Sequence, residues 1–362
     1  MDFIKDTYAE LVKRMGKCIV NQIVDDLFGK NVLSTEEMNV INDENVSQVA
    51  SRKLILMVLN KGSESCNLFM KCLEKYDHLL FQDLCLIDGM GSLVNIEKLI
   101  FDNIKMYEED AKKLAEGLKD LKRLVILHLS HLTTIGNGMD DIVESICSEP
   151  RDLQEIKLVD CCLSGKAVKI LAQNIKHFPK LRMLDSSENN LKEEGNGSVT
   201  MLVDSLNGFP DMTVLMLPCG CDVRLCLDTL LQHLIQMPRL VRLGLKNWHL
   251  TDTEISKLSA FFKENLKDLQ QLDLSGNCVT SDGWLSFTEA LRDLKELTTL
   301  DLSSEHSLQP YAGLVLELSR VISKLKGLQK VRLCGWQLDS IDLQKINSAK
   351  AGCEGEFQLL TA

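Results

Sequence analysis

The chain has 362 residues, more than one hydrophobic core usually organises, and its 45% apolar and 26% charged content is that of a soluble globular protein. A net charge of −11 argues against a phosphate-backbone partner, and thirteen cysteines, odd in number and without paired CxxC spacing, argue against a secreted disulfide framework. The longest wholly apolar run, Leu54 to Leu59, is too short to cross a bilayer, and the start Met1-Asp2-Phe3-Ile4-Lys5-Asp6 lacks the apolar stretch of a signal peptide, so a cytosolic protein with reduced thiols is expected.

The first part of the chain reads as six short amphipathic helices, near Asp2 to Met15, Lys17 to Phe28, Thr35 to Asp43, Val46 to Asn60, Glu64 to Leu73 and Asp77 to Leu84. Ile19, Ile23 and Leu27 form an apolar stripe on the second, and Leu54, Met57 and Val58 mark the fourth. Ser34 and Glu37 have the spacing of a capping box at the start of the third, and Gly62-Ser63 punctuates the boundary before the fifth. Residues 1–84 are expected to close into an all-α bundle, with 85–95 a junction or capping segment.

From residue 96 onward the pattern changes. Apolar triplets spaced i, i+3, i+5 recur, beginning at Ile96, Leu124, Leu153, Leu181, Met212, Leu240, Leu269, Leu297 and Leu328, at intervals of 28, 29, 28, 31, 28, 29, 28 and 31 residues. Positions i+3 and i+5 share one face of a short strand, and helical periodicity follows, as in Ala111/Leu114/Ala115/Leu118 and Leu227/Leu230/Leu231/Leu234. Each unit is therefore strand, turn, helix. At i+8, Cys161, Asn189 and Asn277 have side chains able to bond backbone groups left unpaired in the bend, whereas Trp248 and Trp336 fill that position elsewhere. Ser164, Thr251, Thr280 and Asp339 stand eleven residues after their unit's first apolar position and are expected to cap helices.

About nine such units, spanning 96–362, stack because none can bury its apolar face alone, with strands on the concave side and helices on the convex side of a horseshoe. The fold class expected is thus a six-helix bundle followed by an α/β leucine-rich-repeat horseshoe. Units of this length resemble the ribonuclease-inhibitor type of repeat, also found in cytosolic NLR immune receptors.

Catalysis has little support. His128 and His131 lack the glutamate and spacing of a zincin helix, and Cys219, Cys221 and Cys226 lack a fourth ligand at a useful spacing, so no metal site is expected. Gly16-Lys17 is followed by Cys18 and Gly165-Lys166 by Ala167, without the upstream glycine of a P-loop, so no nucleotide or other cofactor is expected either.

The helical part, at Asp25-Asp26-Leu27-Phe28, at Lys61 to Phe69 and at Leu80-Phe81-Gln82-Asp83-Leu84, resembles the caspase recruitment domain (CARD) of the death-domain superfamily. With Glu108-Glu109-Asp110-Ala111, Cys161-Cys162-Leu163, Gly244 to Trp248 and Ser281-Asp282-Gly283-Trp284-Leu285, the resemblance extends over nearly the whole chain to the CARD-containing NLR proteins of inflammasomes, partners of NAIP sensors. That family places a nucleotide-binding NACHT module between CARD and repeats. Here Leu84 runs directly into Cys85, so the chain reads as a short form lacking that module.

The resemblance implies a non-enzymatic, cytosolic adaptor or regulator of innate immunity that recruits or modulates caspase-1, or a CARD-bearing adaptor, by homotypic CARD stacking. Self-association, a full-length relative and NAIP are further implied partners. The implied output is cytokine maturation, pyroptosis and apoptosis in response to bacterial products, with the NACHT-less form a modulator or decoy. Asp25, Asp26 and Arg52, with Lys53, Lys13 and Arg14, are the expected CARD interface. The competing expectation is a repeat scaffold or inhibitor that binds a protein ligand on its concave face, through outward positions such as Lys98/Ile100/Asp102 and Lys330/Arg332/Cys334.

Overall fold

The computed structural model describes residues 4, 7–77, 80–81, 96–134, 138–149, 151–191, 196–220, 224–350 and 357–361. The chain divides into two units, Met1–Val94 and Asn95–Ala362.

In the first unit, helices α1 (Tyr8–Arg14), α2 (Lys17–Gly29), α3 (Thr35–Asn42), α4 (Ser47–Asn60) and α5 (Ser63–Tyr76) follow the apolar spacing closely. Helix α2 buries Val20, Ile23, Val24 and Leu27, and α4 buries Ala50, Leu54, Ile55 and Val58, which places both stripes in one core with Phe69 and Leu73 of α5. Ile19 and Met57 are half-buried at its margin. The third helix starts as its capping box dictates: Glu37 N–H donates to Ser34 Oγ at 3.2 Å, and Ser34 N–H donates to Glu37 Oε2 at 2.8 Å. Leu80 and Phe81 are helical, with Leu80 N–H donating to Asp77 Oδ1 at 3.1 Å. The rest of the expected sixth helix and the 85–95 junction lie outside the described residues.

In the second unit every apolar triplet lands on a strand. These are β1 (Lys98–Asp102), β3 (Ile126–Ser130), β5 (Glu155–Val159), β6 (Met183–Asp185), β7 (Val214–Met216), β8 (Arg242–Gly244), β9 (Gln271–Asp273), β10 (Thr299–Asp301) and β11 (Lys330–Arg332). They form one parallel sheet in sequence order. Its register matches the repeat position by position: Leu99 faces Leu127, Leu127 faces Ile156, Leu243 faces Leu272 and Leu300 faces Val331. A tenth strand, β12 (Gln358–Leu360), continues the sheet beyond the nine expected units by pairing Leu359 with Val331. The triplet had hidden it, because Glu356 and Thr361 occupy the positions held by apolar residues in other units. A second, two-stranded sheet, β2 (Lys105–Met106) with β4 (Thr133–Thr134), joins the turns after β1 and β3.

The helices lie in a separate layer: α6 (Glu108–Asp120), α7 (Gly138–Cys147), α8 (Gly165–Asn174), α9 (Asn196–Ser205), α10 (Leu227–Leu234), α11 (Asp252–Glu264), α12 (Ser281–Leu291), α13 (Ala312–Lys324) and α14 (Ser340–Ser348). Their inner faces meet the buried side of the sheet, as Ala111, Leu114, Ala115 and Leu118 do on α6. Ser164, Thr280 and Asp339 cap α8, α12 and α14 by accepting from the backbone N–H three residues on, and Thr251 N–H donates to Glu254 Oε2 at 3.0 Å at the start of α11. Edge-to-face contacts among Phe261, Phe262, Phe287 and Trp284 bind α11 to α12.

Candidate interaction surfaces

On the helical unit the two adjacent aspartates have different surroundings. Asp26 is half-buried, with Oδ2 accepting from Lys75 Nζ at 3.0 Å and lying 3.9 Å from Lys30 Nζ as an ion pair. Lys75 Nζ also donates to Tyr76 Oη at 2.7 Å and lies 4.4 Å from the centre of its ring. Hydrogen bonds from Lys75 and Tyr76 hold the Asp26 carboxyl below its ordinary range. Asp26 therefore ties α2 to α5 and is engaged within the domain. Asp25, one residue earlier, points outward on α2 and has no ion-pair partner among the described residues.

The basic residues divide similarly. Lys53 on α4 pairs with Glu44, whereas Arg52 beside it is exposed and has no partner among the described residues. Lys13 is exposed and Arg14 half-buried, both near the end of α1 and both already in polar contact. Sequence spacing could not separate Asp25 from Asp26, because the partner that distinguishes them, Lys75, lies 49 residues on. Cys72, buried on α5 three residues before Lys75, shares its side of the helix and donates its thiol to Asp26 Oδ2 at 3.8 Å.

The repeat-loop residues form a ladder between units. Asn189 Oδ1 accepts from Cys161 N–H at 2.9 Å and Leu163 N–H at 3.0 Å, while its Nδ2 donates to Leu158 O and Ser186 O at 2.6 and 3.0 Å. Asn277 does the same with Trp248 N–H, Leu250 N–H, Leu245 O and Leu274 O, all within 2.8–3.1 Å. Cys161 contributes a thiol that donates to Leu129 O at 3.0 Å, and burial pushes that thiol up to about 12. Where tryptophan replaces asparagine, its ring is buried and its Nε1 donates across to the preceding unit, from Trp248 to Pro218 O at 3.0 Å and from Trp336 to Leu302 O at 2.8 Å.

Some charges on the outward face of the sheet and its turns are paired between units. Glu155 accepts from Arg182 at 2.9 Å and contacts His128 Nε2 at 3.1 Å, Lys246 Nζ pairs with Glu188 at 2.7 Å, and Arg332 reaches Asp301 at 3.4 Å. In mid-sheet Val214 and Met216 are buried although they point outward, and Met216 lies over Gly244, where an added Cβ would meet its Cε at 2.5 Å.

His131 contacts Asp160 at 3.2 Å. Cys219 and Cys226 are buried thiols raised by desolvation to about 11, while Cys221 lies outside the described residues. Among the described residues no three His, Cys, Asp or Glu side chains converge as a metal site would require, and no helix is long and apolar enough to cross a membrane.

Two buried cations went unnoticed in the sequence. Arg151 donates to Leu118 O at 2.8 Å and Ser145 O at 3.3 Å, and Lys350 donates to Leu325 O and, at 3.4 Å, to Lys326 O. Each neutralises exposed carbonyls at a helix end, a task visible only once the helices are stacked.

Two family models match the chain: the caspase recruitment domain over residues 1–86 and the NLRC4 LRR domain over residues 70–352. NLR family CARD domain-containing protein 4 from Bos taurus is 54% identical over 265 residues, 73% of this chain and 26% of that protein. The Mus musculus protein of the same name is 50% identical over 76% of this chain and 26% of its own, and that of Xenopus tropicalis 43% identical over 73% and 27%. The chain thus spans about a quarter of the length of these relatives. Among solved structures, an internalin from Listeria monocytogenes aligns with 76% of this chain and 87% of its own at 16% identity and a TM-score of 0.39.

Proposed function

This chain belongs to the family of NLR family CARD domain-containing protein 4, and from that premise we propose that it is a non-enzymatic adaptor of innate immunity whose output passes through its CARD. The CARD recruits or modulates caspase-1, or a CARD-bearing adaptor, by homotypic stacking, and so acts on cytokine maturation and pyroptotic or apoptotic death. With no NACHT module between Leu84 and Cys85, the chain has no nucleotide-driven oligomerisation of its own and works as a modulator or decoy beside full-length relatives and NAIP sensors in the cytosol.

The observation that carries this reading is the contrast in unpaired charge. Asp25 on α2 and Arg52 on α4 are exposed, opposite in sign and unpaired among the described residues, whereas the adjacent Asp26 and Lys53 are held within the bundle by Lys75 and Glu44. CARD bundles join by setting an acidic face against a basic one, and such contacts add along a filament.

The test adds the full chain to polymerising caspase-1 CARD and follows light scattering. The expected result is a changed rate of filament growth that Asp25→Lys and Arg52→Glu each abolish without altering the melting temperature. A chain that neither speeds nor slows growth overturns the proposal.

A further inference from the structure

The last two helices of the repeat layer leave a groove unlike the others. It holds about 470 Å³ between α13 and α14 and is lined by Leu316 of the first and Ile341 of the second, which are 45% and 59% exposed. Both are large aliphatic side chains, and leaving them in water forfeits the burial each would gain under a partner.

The groove also differs in charge. Arg320 and Lys345 line it, the remaining lining residues are serine, glutamine and alanine, and no carboxylate is among them. A comparable groove between α6 and α7 is lined by Glu116, Asp141 and Glu144 as well as lysines, and has no large aliphatic side chain. A basic, apolar groove on a chain of net charge −11 is a local reversal of sign.

The cations have neighbours, and these leave them available. Glu317 is contacted by Arg292 as well as by Arg320, the latter at 3.3 Å, and Asp342 lies 3.7 Å from Lys345. Both contacts are pairs three residues apart along a helix, in which Glu317 and Asp342 are 18% and 16% exposed while Arg320 and Lys345 keep 63% and 41% of their own surface open.

We propose that the α13–α14 groove is a docking site for an acidic amphipathic helix of a partner protein, whose apolar side chains cover Leu316 and Ile341 while its carboxylates meet Arg320 and Lys345. Helix-in-groove recognition uses anchors three and four residues apart, and the groove offers one aliphatic contact on each wall. The assignment stands apart from the CARD reading, since it invokes no residue of the first unit.

The test uses the full chain and a synthetic helical peptide with leucines at i and i+4 and glutamates on its flanks, followed by fluorescence anisotropy. Saturable binding is expected, weakened about tenfold by Ile341→Ser and by the double change Arg320→Glu with Lys345→Glu, and weakened by added salt. The same peptide with lysines for glutamates should not bind. Because Ile341 is largely exposed, Ile341→Ser should keep the wild-type melting temperature, which separates lost docking from lost folding. Equal binding of both peptides, no effect of the variants, or no saturation overturns the proposal. So does concentration-dependent self-association of the chain that Ile341→Ser removes, which would assign the groove to a second copy.

Discussion

Side chains that look equivalent in the sequence carry different loads. Asn277 satisfies two N–H groups and two carbonyls in a bend that has no other partner for them. Asn277→Leu keeps the branched heavy-atom skeleton and removes all four bonds, so it should destabilise the chain by about 3 kcal/mol, read as a lower urea midpoint. Cys161→Ala, which loses one thiol donor in a similar bend, should cost about 1 kcal/mol. If the two variants shifted the midpoint equally, the ladder would not be a hydrogen-bonding device. Asp26 makes a pH-dependent prediction. Its carboxyl is held low by the hydrogen bond from Lys75, so the charged form is favoured in the folded state and its stabilisation is fully present above the unfolded value. As pH falls through the lower folded value the proton is taken up and that stabilisation disappears. The difference in melting temperature between wild type and Asp26→Asn should stay constant from about pH 8 to 5 and close below about pH 4. A difference that widened in acid would contradict the assigned sign.

Each repeat element is set by a short local rule, which is why so much of the fold was legible. The i, i+3, i+5 spacing is enough to place nine strands, and hydroxyl or carboxylate side chains eleven residues on mark four helix starts. The rule failed where its own residues were absent. Strand β12 is held by Leu359 and backbone pairing with β11 alone, and β2 with β4 contributes two residues each, too few to show a period. The turns after the strands impose a further demand, a left-handed backbone. Gly276 and Gly335 have φ of +71° and +79°, where a side chain is strained whatever the space. They differ in what surrounds them: a Cβ on Gly276 would meet the side-chain Oδ1 of Asn247, which can rotate away, whereas one on Gly335 would lie 2.1 Å from the backbone carbonyl oxygen of Ser304, which cannot. Gly276→Ala should therefore cost about 1–2 kcal/mol, and Gly335→Ala distinctly more, with a correspondingly larger drop in melting temperature. Equal drops would mean that the φ alone, and not the backbone contact, sets the cost.

At the scale of the whole chain both units tie charges into internal pairs, and sequence reading could not see which charges are left over because it counts them without their partners. In the repeats the ionic contacts close between successive units, as Lys180 with Asp152 and Arg239 with Asp211, both at 2.7 Å and both exposed. Pairs of this kind contribute little, about 0–1 kcal/mol each, because the stack is held by its buried leucine ladder and its parallel backbone bonds. In the helical unit Asp25 and Arg52 have no partner among the described residues, and under the proposed function their electrostatic energy is gained when another bundle arrives. Salt should discriminate between the two. Raising it from about 0.05 to 0.5 M shortens the screening length from roughly 14 to 4 Å, which should leave the melting of the repeats nearly unchanged while strongly reducing the effect of the chain on caspase-1 CARD polymerisation. Adding salt should have little further influence on Asp25→Lys, whose effect on polymerisation is already lost at low salt. If salt instead lowered the melting temperature of the repeats and spared the polymerisation effect, the charges would be structural in the repeats and incidental in the CARD, the reverse of the assignment made from their geometry.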